Sequence, residues 1–121
     1  MAKRTIPAEK WKWYGYAGHF IAGSKCAYHL STRIGKYLVS TLGDYHDRSG
    51  ERQTIGAGEG LFYETMIFHC RGEAKTGDAI IGSWSSVDGE RYATSLEAER
   101  GHYRYCKKFA RLPQPKHRSA S

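Results

Sequence analysis

Residues 94–111 have the sequence TSLEAERGHYRYCKKFAR, which predicts one amphipathic helix near the carboxyl end of the chain. Thr94 and Glu97 form a capping box at its start, because a Thr hydroxyl can accept the N3 amide while the N3 carboxylate accepts the amide of the cap. At about 100° per residue, the apolar side chains gather on one side, which we expect to pack on the rest of the chain: Leu96, Ala98, His102, Tyr103, Cys106, Phe109 and Ala110.

Gly101 lies inside this helix and turns toward the predicted packed side. A glycine in a helix interior costs roughly 1 kcal/mol relative to alanine. We therefore expect a strand backbone, or the aromatic run of residues 11–21, to approach the helix where Gly101 lacks a Cβ.

The opposite arc of the helix is basic and carries much of the formal net charge of +7. Residues 5–94 are neutral overall, with ten Lys/Arg and ten Asp/Glu, so the excess lies in the helix and at the two ends of the chain. A basic face on a neutral body is typical of proteins that bind polyanions or acidic partner surfaces. The alternative is that these cations are only the solvated side of the helix.

The composition predicts a sheet before the helix, since the chain as a whole has nine Tyr and three Trp, which suit half-buried strands, and 14 Gly, which supply bends. Asp88-Gly89 is the dipeptide favoured in a two-residue hairpin turn, so we expect it to join two strands. A polar, glycine-rich stretch at 44–60, directly after Gly43, predicts a long mobile loop. The strands are expected at 11–21, 25–31, 37–42, 61–70, 79–87 and 90–94.

These elements indicate an α+β fold, with a mainly antiparallel sheet of four to six strands and the C-terminal helix packed on one face. The 121 residues fit a single domain, which we place at 10–112. A disordered basic arm is predicted at 1–9 and a disordered basic tail at 113–121. The sequence predicts neither a signal peptide nor a membrane span, and its three cysteines suit reduced thiols better than a disulfide framework.

Two segments carry a resemblance to a known group of proteins. Residues 63–68 read YETMIF and residues 91–102 read RYATSLEAERGH. They resemble the Y-E-T-M-[VI]-F and R-Y-x-T-x-x-E-A-x-x-G-H motifs of small uncharacterised proteins encoded by tailed bacteriophages and prophages. Residues 11–21 and 28–35 are similar to the amino-terminal half of a subset of that group. The resemblance implies a phage origin and a location in the host cytoplasm, without an assigned activity.

Cysteine and histidine are the ligands that zinc prefers, and several occur in close pairs. Residues adjacent or three apart on a strand point to opposite faces, so Cys26/His29 and His69/Cys70 could each supply one ligand at most. His102 and Cys106 lie four apart on the helix and could act together. We expect no metal and no other cofactor; the candidate ligands for a zinc site are Cys26, Cys70, His102 and Cys106.

A catalytic site is less well supported by the sequence than a binding surface. His29 and Ser31 form an H-x-S pair that resembles half of the two-histidine phosphoesterase pattern. Glu64 shares a strand face with apolar side chains, which could raise its pKa for acid–base work or for gripping an ADP-ribose-type substrate. We favour the simpler interpretation that Glu64 lies on an edge strand and pairs with an arginine or the backbone.

We therefore predict a non-catalytic protein that binds and inhibits or modulates a host or phage nucleic-acid machine, in host takeover or in counter-defence of the anti-CRISPR kind. Direct binding of DNA or RNA is the first alternative, since Trp and Tyr set among Lys can stack on bases. A small phosphodiester or ADP-ribose enzyme is the second. The predicted binding residues are Arg100, Arg104, Lys107, Lys108, Arg111, Lys10, Trp11 and Lys12.

Overall fold

The computed structural model of the protein describes residues 5–14, 26–55, 59–77, 79–83 and 85–113. These residues form an α+β fold in which an antiparallel sheet carries one C-terminal helix, as the sequence predicts. The elements are the 3-10 turn Ala8–Lys10, β1 (Lys12–Tyr14), β2 (Cys26–Ile34), β3 (Tyr37–His46), β4 (Arg52–Gln53), β5 (Tyr63–Glu73), β6 (Ala79–Ile81), β7 (Asp88–Tyr92) and α1 (Ser95–Arg111).

Strands β3 and β5 form the centre of the sheet, and all pairings are antiparallel. The order is β1-β2-β3-β5, and the long β5 then pairs with two short strands, β7 along its first half and β6 along its second. The short β4 pairs with the end of β3. Because β3 and β5 have neighbours on both sides, their mostly buried side chains can form the core beneath the helix.

The predicted hairpin around Asp88-Gly89 is wrong, because both residues lie inside β7. Gly89 pairs with Met66 of β5, and a Cβ on Gly89 would lie only 2.8 Å from the carbonyl oxygen of Thr65. The glycine is therefore required for close approach of two strands. The turn propensity of the dipeptide is overridden by this pairing.

Gly43 does not end the third strand, and the segment after it is not all loop. β3 continues to His46, and the ring of Tyr63 occupies the space that a Cβ on Gly43 would need. Within the predicted mobile loop, Asp47 organises a turn by accepting hydrogen bonds from the amides of Ser49 and Glu51 at 2.9 and 3.0 Å. β4 follows that turn and pairs with β3.

The helix begins as predicted. The Thr94 hydroxyl accepts the Glu97 amide at 3.2 Å, and the Glu97 carboxylate accepts the Thr94 amide at 3.2 Å. The side chains that dock on the sheet are Ala98, Gly101, His102, Cys106, Phe109 and Ala110.

Two residues assigned to the packed side are exposed instead: Leu96 is 54% and Tyr103 is 42% accessible. Both lie more than about 100° around the helix from the middle of the buried arc. The packed side predicted from the sequence is therefore rotated about the helix axis relative to the side that is buried in the structure.

The second half of the predicted disordered arm is ordered against the helix. The Ile6 amide donates to the Ala110 carbonyl at 2.9 Å, and the Trp11 indole donates to the Ile6 carbonyl at 3.2 Å. Ile6 and Trp11 both pack on the core cluster that contains Phe109. Residues 1–4 and 114–121 of the predicted arm and tail, and 15–21 of the first predicted strand, lie outside the described residues.

No helix in the described part of the chain has the length and apolar character needed to cross a membrane.

Candidate binding surface on the C-terminal helix

A buried polar network fixes the helix on the sheet. The imidazole of His102 is fully buried, with Nε2 2.8 Å from the Thr32 hydroxyl of β2 and Nδ1 2.6 Å from the Thr41 hydroxyl of β3. Thr41 is 2.6 Å from the Thr65 hydroxyl of β5, to which Tyr92 of β7 donates at 3.0 Å. Burial lowers the pKa of His102 from 6.5 to about 4, so the ring is neutral. His102 is thus connected directly to β2 and β3, and through Thr41 and Thr65 to β5 and β7.

Gly101 provides the room for this network. A Cβ at this position would overlap the phenol of Tyr92, which lies directly over the helix backbone. Gly101 does lie on the packed side, but the group that approaches it is the Tyr92 side chain, where a strand backbone or the aromatic run of residues 11–21 was expected. Together, Gly101 and His102 set which side of the helix faces away from the sheet.

Two of the five helix cations are paired with strand β7. Arg104 contacts the carboxylate of Glu90, and the Lys108 ammonium donates to Asp88 at 2.7 Å. The hydrogen bond from Lys108 lowers the pKa of Asp88, and the same contact raises the pKa of Lys108. These two cations are therefore largely neutralised within the protein itself.

The other three helix cations, Arg100, Lys107 and Arg111, are exposed. In the described parts of the chain, none of them lies within salt-bridge distance of a carboxylate. They lie within about 40° of one another around the helix axis. The helix thus presents one row of unneutralised positive charge toward solvent.

Exposed apolar side chains lie directly beside this row. Trp13 of β1 is 44% accessible, and its ring centroid lies 5.7 Å from that of Tyr103. A shallow surface groove of about 470 Å³ runs along the helix here, lined by Leu96, Glu99, Arg100, Tyr103, Arg104 and Lys107. We refer to Leu96, Arg100, Tyr103, Lys107, Arg111 and Trp13 as the outer helix surface.

The predicted binding residues outside the helix are less available. Trp11 packs on the core, and Lys12 contacts the Glu73 carboxylate and donates to the Gly77 carbonyl at 3.0 Å. Lys10 is exposed at the end of the 3-10 turn. Among the described residues of this segment, Trp13 is the exposed aromatic residue, and its ring lies beside that of Tyr103 on the helix.

The predicted set of binding residues did not include Leu96 and Tyr103, because both were assigned to the core. The sequence gives no clear signal against that assignment, because Tyr103 lies only about 20° around the helix axis from Ala110, which is buried.

The three catalytic candidates do not form a shared site. Ser31 is fully buried, whereas His29 is exposed. His29 and Glu64 both pair with Leu42 of β3, from opposite sides. Two strand spacings therefore separate them, about 10 Å.

Glu64 is nearly buried and accepts a hydrogen bond from Arg91 of β7 at 2.9 Å. The expected arginine pairing is confirmed, but the expected edge position is wrong, because β5 lies between β3 and β7. Glu64 thus forms part of the cross-strand pairing that holds β7 on β5.

The four candidate metal ligands do not gather at one site, although His102 and Cys106 lie one turn apart on the buried side of the helix. Cys26 packs with Leu42 and Ile55, whereas Cys106 packs with Phe109 under the helix. Both ring nitrogens of His102 contact threonine hydroxyls, and burial raises the pKa of the Cys106 thiol to about 12. The described residues contain no group of three or more side chains that could hold a metal ion.

Comparisons of the chain with protein families, with curated proteins and with solved structures found no match.

Proposed function

We propose that this protein is a non-catalytic phage accessory protein that binds a host or phage nucleic-acid machine through the outer helix surface. Binding would inhibit or modulate that machine, in host takeover or counter-defence of the anti-CRISPR kind. The observation that carries the proposal is the row formed by Arg100, Lys107 and Arg111, whose charges no carboxylate of the described chain neutralises.

The composition of the outer helix surface supports binding. Trp, Tyr and Arg are the residue types enriched at the energetic centres of interfaces, and Trp13, Tyr103 and Arg100 lie on one side of the molecule. An ordinary solvated helix face would intersperse both charge signs. Here the carboxylates Glu90 and Asp88 pair with Arg104 and Lys108 at the β7 side and leave the outer row positive.

The rigidity of the helix supports the same proposal. The network around His102 fixes the rotation of the helix about its axis, and the capping box fixes its first turn. The row of Arg100, Lys107 and Arg111 is therefore held in one orientation before a partner binds. A preorganised surface loses less conformational entropy when a partner binds.

The test compares two sets of charge removals that differ in whether the cation is already paired. We expect Arg100→Gln/Lys107→Gln/Arg111→Gln to keep the fold and to lose capture of the machine from host lysate. The matched control, Arg104→Gln/Lys108→Gln, should retain capture, because it removes cations that β7 already neutralises. Circular dichroism checks folding, and mass spectrometry identifies what is captured.

A folded triple variant that captures the same proteins as the parent would refute the proposal. Loss of capture in the paired-cation control but not in the triple variant would also refute it, since the interface would then lie on the β7 side.

A further inference from the structure

We infer that the outer helix surface binds single-stranded nucleic acid, with one unpaired base stacked on Trp13, another on Tyr103, and the backbone phosphates on Arg100, Lys107 and Arg111. This inference rests on the proposed function and names the component of the machine that the surface contacts.

Trp13 and Tyr103, which we call the aromatic platform, are each held by a regular element of the fold. Trp13 pairs through its backbone with Thr32 of β2, and its ring lies 5.7 Å from the buried His102 ring. The ring centroid of Tyr103, on helix α1, lies 5.7 Å from that of Trp13, and the two rings are inclined at 55°. The Tyr103 ring lies 6.4 Å from the same His102 ring, and both aromatic residues remain more than 40% accessible. Exposed aromatic faces of this kind stack on bases without regard to sequence.

The cations form a track for a phosphate backbone next to that platform. Arg100 and Arg111 are eleven residues apart, which is about 16 Å along the helix axis, and Lys107 lies between them. Tyr103 lies beside this row, within the first half of its length. Glu99 lines the same groove on the side away from Arg111 and would repel phosphate there, so the strand should run toward Lys107 and Arg111.

A single strand fits this surface better than a duplex or an acidic protein segment. In a duplex the bases stack on one another and offer no free face to an aromatic side chain. An acidic protein segment would match the three cations, but it would not match the two rings. An unpaired nucleotide supplies both a flat apolar base and a phosphate.

The experiment measures fluorescence anisotropy of a labelled twelve-nucleotide oligo-dT, and of a duplex of equal length, with purified full-length protein. We expect the single strand to bind more tightly. The slope of log K against log salt should be about −2, the value for roughly three phosphate contacts on a single strand. Tyr103→Ala and Trp13→Ala should each weaken binding by about 5- to 150-fold, the range for loss of one stacked base.

Tyr103→Phe and Lys108→Gln are the controls. The first keeps the stacking ring without its hydroxyl, and the second keeps the outer cations, so both should bind like the parent. The triple variant lacking the outer cations should lose both affinity and salt dependence.

Three results would overturn the inference: no binding of oligo-dT at low salt, equal or tighter binding of the duplex, or unchanged affinity of folded Tyr103→Ala and Trp13→Ala. If oligo-dT does not bind while the triple variant loses capture from nuclease-treated lysate, the partner is a protein. In that case the inference falls and the proposed function stands. If the triple variant retains capture, the proposed function itself falls.

Discussion

Replacing Gly101 with alanine should destabilise the protein, although alanine is the better helix former. The added methyl group would overlap the phenol of Tyr92, which lies over the helix backbone at this point. The Tyr92 side chain is buried and its hydroxyl donates to Thr65 at 3.0 Å. The ring therefore cannot move aside without breaking a buried hydrogen bond.

The expected magnitude follows from three contributions to the free energy of unfolding. Helix propensity favours alanine by about 1 kcal/mol. Overpacking costs about 1 to 3 kcal/mol, and a buried hydroxyl left without its partner costs about 1 to 3 kcal/mol more. The net loss is roughly 1 to 5 kcal/mol, which lowers the Tm of a domain of this size by at least about 3 °C.

The assay is a double-mutant cycle with Tyr92→Leu, followed by thermal and urea unfolding. Leucine lacks the distal ring atoms of Tyr92 that the new methyl group would overlap. In that background, Gly101→Ala should no longer destabilise the protein and should be neutral or stabilise it by up to about 1 kcal/mol. A Gly101→Ala protein as stable as the parent would refute the reasoning, and so would equal destabilisation in both backgrounds. Either result would also undermine the helix orientation from which the outer helix surface is defined.

Three further outcomes are expected. Burial lowers the pKa of His102 from 6.5 to about 4. Between these two pH values the unfolded chain binds a proton at His102 that the native protein does not bind, so the free energy of unfolding decreases as the pH falls from 6.5 to about 4. His102→Gln should remove about 3 kcal/mol of this pH dependence, as measured by urea unfolding between pH 7 and 4, and parallel curves for the two proteins would contradict it. Thr94→Ala should cost about 1 kcal/mol through loss of the cap, whereas Ser95→Ala, an exposed neighbour, should change stability by less than about 0.5 kcal/mol; equal effects would mean that the cap contributes nothing. Cys106 should resist iodoacetamide in the native protein, because burial raises its pKa to about 12, and mass spectrometry after native alkylation would reveal the contrary.

The features that the sequence predicts correctly depend on local signals. The helix, its start at Thr94 and its charged face follow from residues within one or two turns of each other. The general α+β class also follows, because aromatic and glycine-rich segments of strand length precede a single helical pattern. Glu64 was expected to pair with an arginine or the backbone, and it pairs with Arg91, although not on an edge strand.

The features that the sequence does not predict depend on contacts between distant segments. Asp88-Gly89 has the local chemistry of a turn, but pairing with β5 decides its conformation. The threonines that hold His102 are indistinguishable in the sequence from threonines on the exposed face of a strand. The phase of the helix was misjudged for a related reason. Leu96 and Tyr103 are apolar, and only the packing of Gly101 against Tyr92 shows that they point outward.

The network beneath the helix also links the tautomer of His102 to the directions of the hydroxyl hydrogen bonds. Tyr92 donates to Thr65. If Thr65 donates to Thr41 and Thr41 donates to Nδ1 of His102, the imidazole carries its proton on Nε2 and donates it to Thr32. If the proton is instead on Nδ1, Thr41 accepts it and donates to Thr65, while Thr32 donates to Nε2. The ¹⁵N chemical shifts of the two ring nitrogens identify which tautomer the neutral imidazole adopts, and with it the direction of each of these hydrogen bonds.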